Sequence, residues 1–344
     1  MQTFPTTGPI PATLILGDGI GPEITRATVR VLAALEAPFV WEERIAGMAA
    51  VERGEDPLPE ETLACIRRNT LALKGPLTTP VGGGYRSVNV RLREEFKLFA
   101  NIRPARTFVP GGRFDNIDLV LIRENTEGLY VGVEHYVPVG DDPHAVAEAT
   151  GIMTRYGCRR VAEFAFRYMI SHERRKLTIV HKANILKKLT GLFLETALEV
   201  AEKYKGQVEV EDRIVDNTAM QLILNPNQFD VLLAPNMFGD ILSDEIAGLV
   251  GGLGLAPSGN IGEGAAIFEA VHGSAPDIAG KGIANPAALM LAAAMMLEHV
   301  GRHEQSVRLR DAIDRVLRED GVRTRDLGGD VGTEAFADAV IRRL

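Results

Sequence analysis

The sequence has little cysteine, no excess of positive charge, no long apolar run and no dinucleotide-binding glycine fingerprint. Each absence removes a class of protein. Cys65 and Cys158 are its two cysteines. They are too few and too far apart for a disulfide framework or a thiolate metal site, which fits a reducing compartment. The 38 Lys and Arg against 46 Asp and Glu leave a net charge of −8, without the basic footprint that nonspecific nucleic-acid binding needs. The longest apolar patch, ALMLAAAMML at 288–297, falls short of the roughly 20 residues that cross a bilayer and reads as a buried helix. The opening MQTFPTTGPIPAT has no basic segment leading into an apolar one, so no secretory signal is expected. With Met1 in place, a cytoplasmic protein is expected, the alternative being a matrix protein already stripped of its transit peptide. GDGIGPE (17–23) follows a strand and opens a helix, yet Pro22 stands where G-x-G-x-x-G needs its third small residue. GGLGLAP (251–257) fails in the same way at Pro257. Both read as tight turns, and any dinucleotide must be bound without the usual Rossmann loop.

The composition that remains, 46% hydrophobic and 24% charged over 344 residues, supplies a sizeable core for a globular α/β protein. Short apolar runs alternate with amphipathic stretches. Strands are expected at 13–17, 71–75, 118–125, 177–181 and 229–235. Helices are expected at 22–36, 88–98, 154–171, 187–204, 236–250, 286–299, 303–318 and 332–343. Residues 129–154 alternate around the polar turn GDDPH and predict an antiparallel pair projecting from the layered body.

NMFGDILSD (236–244) sets Asp240 and Asp244 one helical turn apart on a shared face. Two like charges there repel unless a cation lies between them, and carboxylate oxygens suit Mg²⁺ or Mn²⁺. The bland alternative is a helix-start aspartate beside a solvated one. In KGPLTTPVGGGYRSVNVRLREEF (74–96), Thr79 and the run Gly82 to Gly84 lead into a helix bearing Ser87, Asn89 and Arg93. Polar groups at such a helix start favour anions, and Asn89 and Arg93 share a face; a solvated amphipathic helix has the same pattern. Arg103 in ANIRPAR and Arg123 in LVLIREN end apolar strand runs. An arginine there is costly without an anion; Arg123 and Glu124 could instead pair with internal partners, whereas three arginines at element ends would make a pocket for a polycarboxylate. Tyr130 in ENTEGLY fits a buried aromatic, Lys182 in HKANILK a solvent-facing lysine and Asp216 in RIVDNTAMQ an N-cap. The small-residue segment EAVHGSAPDIAGKGIANP (269–286) is a long loop that lets backbone approach a ligand closely.

Together these motifs, in this order from GDGIGPE to DLGGDVGTEAF (326–336), resemble the β-decarboxylating dehydrogenases of isocitrate, homoisocitrate and 3-isopropylmalate. The resemblance runs nearly end to end. It implies a three-layer α/β/α fold distinct from the Rossmann fold. A large discontinuous domain of 1–100 and 241–344 is expected, with a small domain of 101–240 and a dimer clasp at about 129–154. Within the family, Ser87-Val-Asn89-Val-Arg-Leu92-Arg93 resembles the isocitrate pattern S-x-N-x-x-L-R. Isopropylmalate enzymes place an aliphatic residue where this polar pair stands.

The resemblance further implies roles. Ser87, Asn89, Arg93, Arg103 and Arg123 bind a tricarboxylate; Tyr130 and Lys182 move protons. Asp240, Asp244 and a neighbouring subunit's Asp216 hold Mg²⁺ or Mn²⁺, which makes a homodimer with shared sites the expected assembly. Thr79, His272, Gly273, Asp277, Ile278, Asn285 and Asp326 bind the cofactor. NADP-type relatives carry Lys-Tyr where Asp277 and Ile278 stand, and a carboxylate there accepts ribose hydroxyls but repels a 2′-phosphate. NAD is therefore expected. Homoisocitrate or broad-range 3-isopropylmalate-type activity is the enzymatic alternative, and a regulatory subunit of a hetero-oligomer the non-catalytic one. Partners other than the small substrate and a second subunit, such as nucleic acid or membrane, are not expected.

Overall fold

The computed structural model describes residues 4–5, 7–80 and 84–344; Gly82 and Gly83 of the expected glycine run lie outside the described residues. The chain forms β1 (Ile10–Ile15), β2 (Phe39–Arg44), β3 (Leu71–Lys74) and β4 (Ala100–Arg106), then β5 (Asp118–Glu124). It continues through β6 (Gly128–Val139), β7 (Asp142–Ile152), β8 (Lys176–His181), β9 (Glu209–Ile214) and β10 (Val231–Ala234). β11 (Pro257–Ile261) and β12 (Ala266–Ala270) complete the strands among the described residues. The mixed α/β class is as expected. Two compact units result: Met1–Leu98, Arg103–Ile117 and Ala247–Leu344 form one, Phe99–Ile102 and Asp118–Ile246 the other. Against the expected boundaries at 100/101 and 240/241, residues 103–117 group with the chain ends, and 99–100 and 241–246 with the middle.

In the first unit the strand order is β2-β1-β3-β12-β11. β1 pairs parallel with β2 and β3, β3 parallel with β12, and β12 antiparallel with β11. The helix Ala287–His299 packs against β11 and β12. It is apolar nearly all round, with Ala287 to Ala294, Met296 and Leu297 buried, the expected fate of a helix with no polar face. No helix among the described residues is long and apolar enough to cross a membrane.

In the second unit β5, β10, β8 and β9 lie side by side in that order, all parallel. Parallel strands covered on both faces read as continuous apolar runs, and β10 is buried throughout. β6 and β7 form a separate antiparallel ribbon, closed by the Val139–Asp142 pair, where the alternation around GDDPH places it.

Two elements differ instructively from expectation. The helix Val88–Glu95 stops short of residue 98. Lys97 adopts φ +46° while the Leu98 amide returns to the Arg93 carbonyl at 2.9 Å, a left-handed closure that side-chain pattern does not encode. Arg103 lies in the middle of β4 rather than at its end, because the strand carries on through Pro104 to Arg106.

Candidate active site

The helix Val88–Glu95 is fixed by its apolar side. Val88 and Leu92, one turn apart, enter a core cluster with Ile15, Leu63, Ile66 and Ile267; burying each aliphatic side chain contributes about 1.5–3 kcal/mol. One position further along the helix, Asn89 and Arg93 therefore share the adjacent strip. Ser87 is the residue before the helix, and its hydroxyl accepts from Thr79 Oγ1 at 3.3 Å. Asn89 keeps a buried amide oxygen without a hydrogen-bond partner among the described residues. Arg93 acts electrostatically on Glu269, and Arg103 is buried.

The glycines of GDGIGPE serve close backbone packing. Gly17 and Gly19 have φ of +83° and +56°, and a Cβ at either would collide with the Pro76 or Ser274 carbonyl. The Ile20 amide donates to that Ser274 carbonyl at 2.9 Å. Asp18 accepts from the Met48 and Thr78 amides at 2.9 and 2.8 Å. The motif thus ties together the loops that carry Thr79 and His272, which explains why a fingerprint-like sequence fails the fingerprint test.

In the 272–285 loop His272 Nδ1 donates to the Gly273 carbonyl at 3.0 Å, leaving Nε2 as an acceptor. That Nε2 is buried and has no partner among the described residues. Burial pushes the imidazole pKa down, so the neutral acceptor form is favoured. Asp277 is exposed and Ile278 half-buried in a turn closed by the Ile278 amide to the Ala275 carbonyl, 3.1 Å. Asn285 Nδ2 donates to Asp326 Oδ2 at 2.9 Å, and Thr324 Oγ1 to Asp326 Oδ1 at 2.6 Å. The orphaned imidazole nitrogen and the exposed carboxylate at Asp277 fit a dinucleotide that brings N–H and O–H donors.

The second unit assembles Arg123, Tyr130 and Asp240. Arg123 is fully buried on β5. Its Nη1 pairs with Asp240 Oδ1, and Tyr130 Oη donates to Asp240 Oδ2 at 2.7 Å. The guanidinium lies 5.4 Å from the centroid of the Tyr130 ring, a cation–π distance. Asp244 follows one turn later on the helix Asn236–Leu249 and is exposed. Asp216 lies in the first turn of Val215–Leu224, whose N-cap position is Ile214; the N-cap alternative for Asp216 does not hold. Its carboxylate pairs with Lys182 Nζ, and that hydrogen bond holds its pKa below the usual range. Just before Lys182, His181 Nε2 bonds Asp212 at 2.9 Å while its Nδ1 accepts from the Ala183 amide at 3.0 Å.

No group of three metal-type side chains converges among the described residues. Asp240 and Asp244 give two carboxylates from one helix face, a hard-oxygen donor set that fits a divalent cation; Asp216 stands with Lys182 instead. Three residues escaped the sequence reading: Asn236, which holds Arg123; Gly239, which lies under it; and Glu269, buried against Lys74. Asn236 and Gly239 lie inside NMFGDILSD, but their partner is more than a hundred positions away.

A family model described as isocitrate/isopropylmalate dehydrogenase matches residues 12–340. The chain belongs to this family. It is 49% identical over 342 residues to catalytic subunit 5 of the mitochondrial NAD isocitrate dehydrogenase of Arabidopsis thaliana, covering 98% of this chain and 90% of that one. It is 50% identical over 307 residues to the chloroplastic 3-isopropylmalate dehydrogenase of Solanum tuberosum, covering 88% and 84%. The crystal structure of isocitrate dehydrogenase from Methylococcus capsulatus superposes with a TM-score of 0.93 at 52% identity, covering 97% of this chain and 98% of that one. The fold is the family's, which accounts for the failed Rossmann motifs. The cytoplasmic expectation is corrected: several isocitrate dehydrogenase relatives are named mitochondrial, and an initial Met carries no information about compartment.

Proposed function

We propose that the chain oxidatively decarboxylates isocitrate to 2-oxoglutarate and CO₂ with NAD. The observation that carries the substrate is the polar pair of Ser87, just before the helix Val88–Glu95, and Asn89 on its first turn, whose hydroxyl and amide N–H groups can donate to a carboxylate. A site built to hydrogen-bond a third carboxylate rejects an analogue with an isopropyl group there. Arg93, Arg103 and Arg123 supply guanidinium groups for the three carboxylates.

A bound Mg²⁺ or Mn²⁺ would supply Lewis-acid polarisation of the substrate hydroxyl and of the enolate oxygen, and bound NAD would supply the hydride acceptor. Asp240 and Asp244, with Asp216 from a second copy of the chain, are the residues that would hold the metal. Lys182 takes the hydroxyl proton. The C3–carboxylate bond of oxalosuccinate then breaks, CO₂ leaves with that carbon, and the bonding pair becomes the enolate. Tyr130 returns a proton to C3. In the cofactor loop, His272 Nε2 accepts from the adenine amine, beside the ribose end that Asp277 reads; Thr79, Gly273, Ile278, Asn285 and Asp326 shape the rest.

A homodimer with shared sites is part of the proposal. The pairing of Lys182 with Asp216 inside one chain supports their delivery together to a neighbour's Tyr130, Asp240 and Asp244. Mixed Lys182→Met and Tyr130→Phe chains would then form one intact site per heterodimer, and failure to regain activity sinks the shared arrangement. Substrate and cofactor are tested by kcat/KM of the chain alone on isocitrate, homoisocitrate and 3-isopropylmalate, each with NAD and NADP. Isocitrate with NAD should lead by at least about a hundredfold. A lead for either analogue overturns the reading, and no activity without a second gene product favours the regulatory alternative.

A further inference from the structure

Asn236 opens the helix Asn236–Leu249, is 1% exposed and has no place among the substrate, metal and cofactor roles above. Its Oδ1 accepts two bonds from one guanidinium, Arg123 Nε at 2.9 Å and Nη2 at 2.7 Å. Its Nδ2 donates to the Glu127 carbonyl at 3.1 Å. These bonds define the amide's orientation, because the flipped form would set NH₂ against N–H donors and oxygen against oxygen. Asn236 thereby joins the Arg123 side chain to the turn that leads into β6 and Tyr130. Glu127 is held in turn, accepting from the Thr154 amide at 2.8 Å and hydroxyl at 2.6 Å.

The chemistry of an amide at this position is specific. A buried guanidinium needs its donors satisfied. An aspartate would bind the same Nε/Nη2 edge more strongly, but it would put a second carboxylate on a guanidinium that already pairs with Asp240. A neutral acceptor occupies that edge and fixes the guanidinium plane without adding a second carboxylate to the one that Asp240 already places at Nη1.

We propose that Asn236 is a positioning residue that sets the Arg123 guanidinium plane for a substrate carboxylate without adding a second negative charge beside it. This rests on the reading of Arg123 as a carboxylate-binding residue, and the test separates the two. Isocitrate and NAD kinetics, with Mg²⁺ present, are compared for wild type, Asn236→Ala, Asn236→Asp, Arg123→Met and the Asn236→Ala/Arg123→Met double variant. Circular dichroism checks folding, and Asn236→Asp is nearly isosteric should the alanine variant fail to fold. The expected result for Asn236→Ala is an isocitrate KM raised about tenfold, with the NAD KM within about twofold. Asn236→Asp should raise the isocitrate KM at least as far despite its good fit, because it adds a second negative charge where the substrate carboxylate must bind. The double variant should be no worse than Arg123→Met, since Asn236 acts through that arginine. Additive effects in the double variant, or an unchanged isocitrate KM in a folded Asn236→Asp, overturn the proposal. An unchanged isocitrate KM in Arg123→Met overturns the underlying reading of Arg123 instead.

Discussion

Gly239 lies directly beneath Arg123: a Cβ at Gly239 would come within 2.8 Å of Arg123 Cγ and 2.9 Å of its Cβ. The glycine sits inside the helix Asn236–Leu249 with no positive φ, so backbone conformation does not require it. Room for the arginine does.

Gly239→Ala therefore sets two effects against each other. Helix propensity alone would favour alanine by about 1 kcal/mol. Overpacking against a buried side chain costs about 1–3 kcal/mol, and Arg123, held by Asn236 and Asp240, cannot swing away freely. The clash should win. Urea denaturation is expected to give a lower midpoint than wild type, and the isocitrate KM should rise as the guanidinium shifts. A stabilised variant with unchanged KM would mean that Arg123 is not confined as described.

Lys74 and Glu269 form an ion pair of 2.6 Å, with side chains 2% and 10% exposed. Glu269 also accepts from Asn260 Nδ2 at 2.7 Å. Burial works against its ionised form, yet Lys74, Arg93 and Asn260 together hold its carboxyl down at about 2. A depressed carboxyl pKa contributes stability that is fully present above the unfolded value, about 4.3, and is lost as pH falls toward the folded value. Lys74→Met leaves a buried carboxylate without its partner and should cost about 3–5 kcal/mol at neutral pH. As pH falls the difference from wild type should shrink, because Glu269 takes up a proton in the folded variant while in wild type Lys74 keeps it ionised down toward about 2. Urea denaturation from pH 7 to 3.5 tests this; a constant difference across that range contradicts it.

What could be read from the sequence was local. The apolar patch at 288–297 announced a buried helix, and the spacing of Asp240 and Asp244 announced a shared face. The alternation around GDDPH announced the β6–β7 ribbon. Contacts between distant segments left no such trace. Arg123 and Tyr130 meet Asp240 across 117 and 110 residues of sequence, and periodicity does not carry information over that distance. β2 escaped notice because FVWEER is half polar, and β11 because PSGNI, although wholly buried, has almost no β-branched or aromatic content. Asn236 reads as a generic helix-start residue; its burial and its arginine give it a different job.

His272 supplies the last prediction. Its Nε2 is a buried acceptor without a partner among the described residues, and leaving such an atom unsatisfied costs about 1–3 kcal/mol. A bound adenine amine would relieve that cost, whereas the carbonyl of a deaminated dinucleotide would oppose it. Wild type should therefore bind NAD about tenfold or more tightly than its hypoxanthine analogue, and His272→Ala should bind the two alike. Because burial depresses the imidazole pKa from its usual value of 6.5, the preference should persist below pH 6.5. It should vanish once the folded-state imidazole takes up a proton at Nε2 and becomes a donor. Equilibrium titration of the reduced cofactors by fluorescence reads this without turnover. Equal affinity of wild type for both dinucleotides at pH 7.5 would remove His272 from the adenine site.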